Sequence, residues 1–481
     1  MLIQCNVGQV VTIDVLPDDD LLAIFDFYVV RYQGLDFIET AFGTNSTIKK
    51  MRSWQTLVHV CRRWRGLVFG SPRLLDLQLY CKARTPVRKT LDNWPALPLL
   101  ISGNVYKKTV DNVVAILQHS DRICQISLTC HTTSQIEKLW KAMQVSFPDL
   151  VSLYLSTEGL SRVPVLTDSF LGGSATRLRF LCLHSIPFPG SPNLLLTATH
   201  LVQLWLLNIP HSGYISPDVI VTCLSMLTSL EQLRLEFKSP QSCPDQENRR
   251  SPPPTRTVLP ALIRFSFKGV SEYLEELVAR IDTPQLRQLW TKFFKDIRFD
   301  IPKLIQFITL TLDTPKDARV VFDTYTAWIT FQRLTPPFSD VRIEISCRVP
   351  NWQLSSLGQI CTSLLPLLST TENLYVYEYL NKQIVWEDDI ENAEWLEILL
   401  PFTAVKDLYL SKQFAPRIAP ALQELAWGST AEVLPSMENI FLEGFQSSEQ
   451  IHEGIRQFIS ARQLTNRPVT ISIWESNPRL L

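Results

Sequence analysis

The sequence predicts an α/β repeat chain preceded by a small all-helical module, and three observations carry that expectation. The pattern Leu-x-x-Leu-x-Leu returns through the body of the chain, capped amphipathic segments stand between its copies, and two amino-terminal helical stripes follow no such pattern. A length of 481 residues would by itself suggest about three domains. Repetition replaces that expectation with one elongated array.

The first units are Leu150, Leu153 and Leu155; Leu178, Leu181 and Leu183; Leu201, Leu204 and Leu206; and Leu230, Leu233 and Leu235. Later units keep the spacing with other apolar residues: Leu262, Phe265 and Phe267; Leu286, Leu289 and Thr291; Val405, Leu408 and Leu410; and Met437, Ile440 and Leu442. Apolar residues two apart in a short run describe a strand with alternate side chains in a core. The first positions of the leading units lie 28, 23, 29, 32 and 24 residues apart. Toward the carboxyl end Val341, Leu374, Val405, Met437 and Val469 follow at 33, 31, 32 and 32, long enough for a helix in each unit.

The intervening segments supply those helices. Ser134-Gln135-Ile136-Glu137 has the form of a capping box ahead of Leu139, Trp140 and Met143. Ser216-Pro217-Asp218 opens a run through Ile220, Cys223, Leu224 and Leu227, and Ser271-Glu272 one through Leu274, Leu277, Val278 and Ile281. Ser448 stands likewise before Ile451, Ile455, Phe458 and Ile459. Each strand covers one side of a core and each helix the other, so only stacking of units stabilises them. Further units around Phe307, Leu310 and Leu312, before the break at Thr335-Pro336-Pro337, leave the repeat number open.

Spacing and pattern resemble a leucine-rich repeat, which implies an irregular solenoid over residues 95–481 with parallel strands lining a concave surface. Residues between the inward ones, among them Ser152, Cys182, Gln203 and Gln232, are then exposed there. Aromatic residues and Arg are preferred binding anchors, so the candidate target-binding residues are Tyr154, Arg179, Trp205, Arg234, Trp290, Tyr409 and Phe441. The alternative is that adjacent units bury them, or that a register shift turns them inward. Residues 239–257, with Pro240, Pro244 and Pro252-Pro253-Pro254, interrupt one unit and predict a mobile loop. In it Ser239-Pro240 and Ser251-Pro252 serve as turns or as proline-directed phosphorylation sites.

At the amino end Leu16-Pro17 opens a helix, with Asp18, Asp19 and Asp20 at the positive end of its dipole. Leu21, Ile24, Phe25 and Tyr28 form its apolar stripe. Residues 31–52 lose this periodicity and are expected to be an inserted loop. A second amphipathic helix follows, striped by Leu57, Val60, Cys61, Trp64 and Leu67 or Val68, with Arg62, Arg63 and Arg65 off that face. Gly70 closes it and Ser71-Pro72 turns the chain.

Leu16-Pro17, the run Leu21-Leu22-Ala23-Ile24-Phe25 and Val60-Cys61-Arg62-Arg63-Trp64-Arg65 together resemble the F-box of large fungal protein families, over about residues 16–79. The module spans 12–80, and the insertion at about 31–52 departs from the usual pattern, lengthening a loop at small entropic cost. The resemblance implies docking on a Skp-type adaptor, and through it a cullin and a RING subunit. The residues implied are Leu16, Pro17, Leu21, Leu22, Ile24, Phe25, Leu57, Val60, Cys61 and Trp64. A helical cap on the following repeats is the alternative.

Enzyme chemistry finds no foothold in the sequence. Only 16 glycines occur and none forms a phosphate cradle, while the ten cysteines include no C-x-x-C pair. The seven histidines lack an H-E-x-x-H partner, Cys130-His131 is too small a ligand set for a metal, and Gly159-Leu160-Ser161-Arg162-Val163 lacks the second glycine of a nucleophile elbow. Glu387-Asp388-Asp389, Glu391, Glu394 and Glu397 read as a solvated helix face, not a calcium loop. No cofactor is expected.

Hydrophobic residues at 46%, charged residues at 19% and a net charge of -1 suit a chain with a large core. With reduced core cysteines, no signal-like amino terminus and no apolar run of membrane-spanning length, an intracellular protein off the membrane is expected; Asn45-Ser46-Thr47 is then an idle sequon. Residues 49–89 hold eleven basic residues against Asp76 alone, a footprint for nucleic acid that near-neutral overall charge and the apolar placement of Trp64 oppose. The expectation is a non-catalytic substrate-recognition subunit of a Skp-cullin-F-box type ubiquitin ligase, its target unidentified, with a repeat scaffold outside any ligase as the alternative.

Overall fold

The computed structural model describes residues 13–28, 53–160, 162–190, 193–242, 256–294, 301–311, 315–333, 339–347, 349–379, 392–427, 433–444 and 452–474. The inserted loop at 31–52, Ser251-Pro252, Thr335-Pro336-Pro337, Glu387 to Glu391 and Ser448 lie outside them. The chain divides into two compact units, Met1–Ile186 and Pro187–Leu481.

The first unit begins with the helix Asp18–Tyr28, three aspartates in its first turn and Leu21 N–H donating to Pro17 O at 3.1 Å. The second predicted helix is instead two, Ser53–Leu57 and Arg62–Gly70. Cys61 breaks it: its backbone is extended at φ −153°, ψ 172°, and its Sγ accepts from Trp64 N–H at 3.4 Å as a cap. The β-branched Val58 and Val60, poor helix formers, sit in the break. Leu21, Phe25, Trp54, Leu57, Trp64 and Val68 are buried together, and Trp54 Nε1 donates to Gln78 O at 3.1 Å.

Five parallel strands follow in sequential order: β1 Leu79–Lys82, β2 Leu99–Val105, β3 Ile123–Cys130, β4 Ser152–Thr157 and β5 Phe180–His184. β1 and β2 lack the triplet that marks β4 and β5, while β3 keeps its spacing as Ile123, Ile126 and Leu128, all buried, a unit not among those predicted. The helices Val87–Leu91, Val110–Leu117 and Thr133–Ala142 alternate with the earlier strands. The last is capped at Thr132, two residues before the predicted Ser134, because Gln135 Oε1 reaches back to the N–H groups of His131 and Thr132 at 3.1 Å. Asn112 ties a helix to the preceding loop: its Nδ2 donates to Ala83 O and Thr85 O at 3.0 and 2.7 Å, and its Oδ1 accepts from Val87 N–H at 2.9 Å.

In the second unit β6 Gln203–Ile209 and β7 Gln232–Phe237 begin the main sheet, while β8 Thr257–Val258 pairs apart from it with β10 Ile281–Asp282. β9 Arg264–Gly269 and β11 Gln288–Phe294 extend the main sheet in parallel. Every leucine-pattern position from Leu150 to Leu442 is buried, so the triplets are core strands as predicted. Between β7 and β9, Pro240–Ser242 forms a 3-10 turn; residues 243–255 of the loop expected at 239–257 lie outside the described residues.

The sheet then departs from the expected all-parallel array. β12 Asp317–Asp323 and β13 Thr326–Arg333 form an antiparallel hairpin, β13 pairs antiparallel with β14 Ser339–Ser346, and β14 pairs parallel with β11. β15 Asn373–Glu378 pairs parallel with β12, followed by β16 Asp407–Leu410, β17 Asn439–Glu443 and β18 Thr470–Trp474. The hairpin turns on Thr324-Tyr325 without the Asn or Gly of the favoured two-residue turns, so no turn signal advertised it. The run around Phe307 is the helix Pro302–Thr311, with Phe307 buried and Leu310 exposed. Val341 pairs with Leu289 and Leu374 with Leu408, so both hold the second place of the triplet, not the first.

Buried polar side chains fasten these additions. Gln353, fully buried on the helix Pro350–Ser363, donates through Nε2 to Asp323 O at 3.0 Å and Cys347 O at 2.8 Å. Glu275, on the helix Ser271–Val278, accepts from the N–H groups of Lys303 and Leu304 at 2.9 and 2.7 Å, capping the helix Pro302–Thr311.

Candidate binding surfaces

The amino-terminal helices sort their apolar residues into two sets. Leu21, Phe25, Leu57 and Trp64 are buried, Leu16, Leu22 and Cys61 are half-buried, and Pro17, Ile24 and Val60 are exposed. The helix Asp18–Tyr28 therefore buries an i, i+4 pair against Trp64 and presents Ile24 and Tyr28 outward with Phe27, which is 93% exposed. Phe27 falls off the stripe counted from Leu21 and was absent from the predicted set. Val15, on the turn Ile13–Val15, is 71% exposed. Arg63 fixes the helix entry, donating through Nη2 to Leu16 O at 2.6 Å and through Nε to Asp18 Oδ1 at 3.0 Å. With Asp18 well exposed, that ion pair orients more than it stabilises.

In the first unit Tyr154, predicted to face solvent, is buried on β4, as are Ser152 and Cys182; Arg179 is exposed ahead of β5. In the second unit strand register assembles the other candidates. Arg234, Ser266, Trp290, Arg342, Thr330 and Arg319 stand opposite one another from β7 through β9, β11, β14 and β13 to β12. Two residues along, Glu236, Lys268, Lys292, Glu344 and Trp328 form a second row on the same face.

These rows are cross-linked. Glu344 accepts from Lys292 Nζ through one oxygen and from Arg342 Nη2 through the other, each at 2.6 Å. Arg342 lies with Cζ 4.0 Å from the Trp328 ring centroid, close cation–π geometry. Arg234 pairs with Glu236 at 2.6 Å and stacks over Trp205 at 4.9 Å, so Trp205 is half-buried beneath it. Trp290, 48% exposed, donates from Nε1 to Asp340 Oδ2 at 3.1 Å. Glu236, Lys268, Trp290, Lys292, Arg342 and Glu344 border a cleft of about 350 Å³. Burial pushes the Lys268 ammonium below the ordinary lysine range, and Lys292 adds to that, while burial holds the Asp340 carboxyl above its ordinary value.

Farther along the first row Tyr375 stacks on Tyr409 at 4.3 Å and Tyr409 on Phe441 at 4.4 Å, with planes 13° and 7° apart. The predicted Tyr409 and Phe441 are thus half-buried members of one aromatic ladder. Trp328, Arg342 and Lys268 were absent from the predicted set: the first two lie in strands that carry no leucine triplet, Arg342 meeting Trp290 through the β11–β14 pairing and Trp328 through the insertion of β13 beside β14. An alternation of charged and apolar residues through Val341 to Ile345 was the one signal available.

The arrangement is suited to binding. Among the described residues no three His, Cys, Asp or Glu side chains stand together as a metal site, and no helix is long and apolar enough to cross a membrane. No family model and no curated protein matches the chain.

Proposed function

We propose that the chain is a substrate-recognition subunit of a Skp-cullin-F-box type ubiquitin ligase, its amino-terminal helices docking on a Skp-type adaptor and its leucine-rich-repeat-like solenoid holding a target protein. The supporting observation is Phe27, 93% exposed beside Ile24 and Tyr28 on a helix that already buries Leu21 and Phe25. A helix that satisfies its own core and still shows a large aromatic residue beside other apolar ones has the character of an interface. The Leu16-Pro17 and Cys61-Arg62-Arg63-Trp64-Arg65 motif resembles the F-box, and from it comes the identity of the partner. In the second unit, arginines and aromatic residues aligned on one face supply the anchors expected of a recognition surface.

The chain contributes no reacting group in this role. It holds its target close to the ubiquitin-loaded enzyme and raises the effective concentration of the reacting lysine. Co-purification of the full chain with a Skp-type adaptor tests the proposal. The wild type retains the adaptor, and an Ile24→Asp, Phe27→Asp variant with an unchanged unfolding transition loses it. A folded wild type that never retains the adaptor leaves the free-standing repeat scaffold as the reading.

A further inference from the structure

We propose that the cleft beside Trp290 receives a carboxylate-bearing side chain, flanked by aromatic residues, from an extended segment of the target protein. This rests on the target-binding role given to the second unit.

Three features of the cleft select that ligand. The first is an unbalanced cation. Glu344 is engaged by Lys292 and Arg342 at 2.6 Å each, and Glu236 by Arg234 at the same distance. Lys268 stands between these pairs in the second row, over the Phe294 ring at 5.6 Å, and among the described residues no carboxylate pairs with it. Glu236 and Glu344 flank Lys268 and act on it electrostatically, but each is already engaged by other cations, so a half-buried ammonium without an ion-pair partner of its own is stabilised by an incoming carboxylate, since the partial desolvation is already present in the free protein. Asp340 does not supply that partner, because its carboxylate is turned to Trp290, whose Nε1 donates to Oδ2 at 3.1 Å, and no ion pair joins it to Lys268.

The second feature is size. A volume of about 350 Å³ lies at the low end of ligand pockets and admits one or two side chains, so the ligand is a short extended segment and not a folded surface. The third is the aromatic border. Trp290 and Tyr379 are partly exposed at the cleft and Trp328 and Tyr377 are buried within it, all on the β11 side of Lys268, so flat apolar surface lies along one flank of the cation. A polyphosphate strand fits less well, because Glu236, Glu344 and Asp340 are interleaved with the cations and would face successive phosphates at close range.

Fluorescence polarisation of the full chain with labelled peptides tests the proposal. The peptides carry Phe-Glu-Phe, Phe-Gln-Phe or Phe-Lys-Phe at the centre of a Gly-Ser frame, with a single-stranded oligonucleotide as competitor. The Glu peptide binds about tenfold more tightly than the Gln peptide, the span of one charge-assisted hydrogen bond, and the Lys peptide more weakly than either. Lys268→Gln removes the preference for Glu over Gln, and Trp290→Ala weakens both peptides, while Lys238→Gln, at an exposed position just after β7, changes neither. Adaptor retention by the same samples reports on the amino-terminal helices separately, so failure in the cleft is distinguishable from failure of the ligase role. Equal binding of the Glu and Gln peptides, an unaltered preference in folded Lys268→Gln, no binding of any peptide, or displacement of the Glu peptide by the oligonucleotide overturns the proposal.

Discussion

Phe25 of the first helix and Trp64 of the third meet with ring centroids 4.7 Å apart and planes inclined at 59°. This contact closes the core of the amino-terminal helices, and it separates two classes of residue that one sequence stripe had merged. Trp64→Ala is expected to destabilise those helices by about 3 kcal/mol, as large aromatic truncations in cores do, whereas Phe27→Ala changes stability by under about 0.5 kcal/mol, as exposed positions do. Chemical denaturation of the two variants checks this. Equal losses would mean that Phe27 is packed in the native state.

Gln353 holds the turn of the β12–β13 hairpin and the end of β14 with two hydrogen bonds to backbone carbonyls. Gln353→Leu keeps the volume but leaves Asp323 O and Cys347 O without these donors, at a cost of about 2 kcal/mol. Hydrogen exchange is expected to rise first in β12 and β13, and unchanged protection there would contradict the role given to this side chain.

Burial pushes the thiols of Cys124, Cys130 and Cys361 up to about 12 and that of Cys223 up to about 11. At pH 8 fewer than about one in a thousand of these thiols is ionised. Brief native alkylation read by mass spectrometry should leave all four unmodified, and denaturant should expose them. Rapid native labelling of Cys361 would show that the helix Pro350–Ser363 opens readily.

The cleft is expected to prefer anions at lower pH, and the sign follows from two shifts. Burial, reinforced by Lys292 and opposed by Glu236 and Glu344, lowers Lys268, so its charge is lost as pH rises before an ordinary lysine would lose its own. Burial raises Asp340 against the bond from Trp290 and the charges of Arg342 and Arg319, so its negative charge arrives later than usual. Both steps reduce the positive charge of the cleft as pH climbs. Above about pH 6, where the peptide's own Glu with its ordinary pKa of about 4.3 is already ionised, affinity for the Glu peptide should therefore fall on the alkaline side below the ordinary lysine pKa of about 10.4. An affinity that rises with pH in that range would contradict the assignment of Lys268.

How much of this was legible in the sequence depended on which interactions are local. Leu233 and Leu235, or Leu408 and Leu410, announce a strand by spacing alone, and both pairs are buried as expected. Cys61 did not announce itself, because a helical count passes through it without registering that its sulfur competes as a cap. Trp328 and Arg342 stand 14 residues apart in the chain, and their stacking follows from the antiparallel pairing of β13 with β14, which no leucine triplet marks. Tyr154 and Trp290 have similar places within their sequence units, yet one is buried and the other half exposed. Those differences are set by what packs beside each strand, which no single repeat encodes.

The most direct measurement for the whole account is titration calorimetry of the full chain with a purified Skp-type adaptor, repeated with Phe27→Asp. The account predicts one-to-one binding by the wild type and an affinity at least about a hundredfold lower for the variant, the loss expected when a charge replaces an aromatic interface anchor, with the unfolding transition unchanged. A folded wild type that releases no heat with the adaptor and fails to retain it on a column, or a variant that binds as tightly as the wild type, would contradict it.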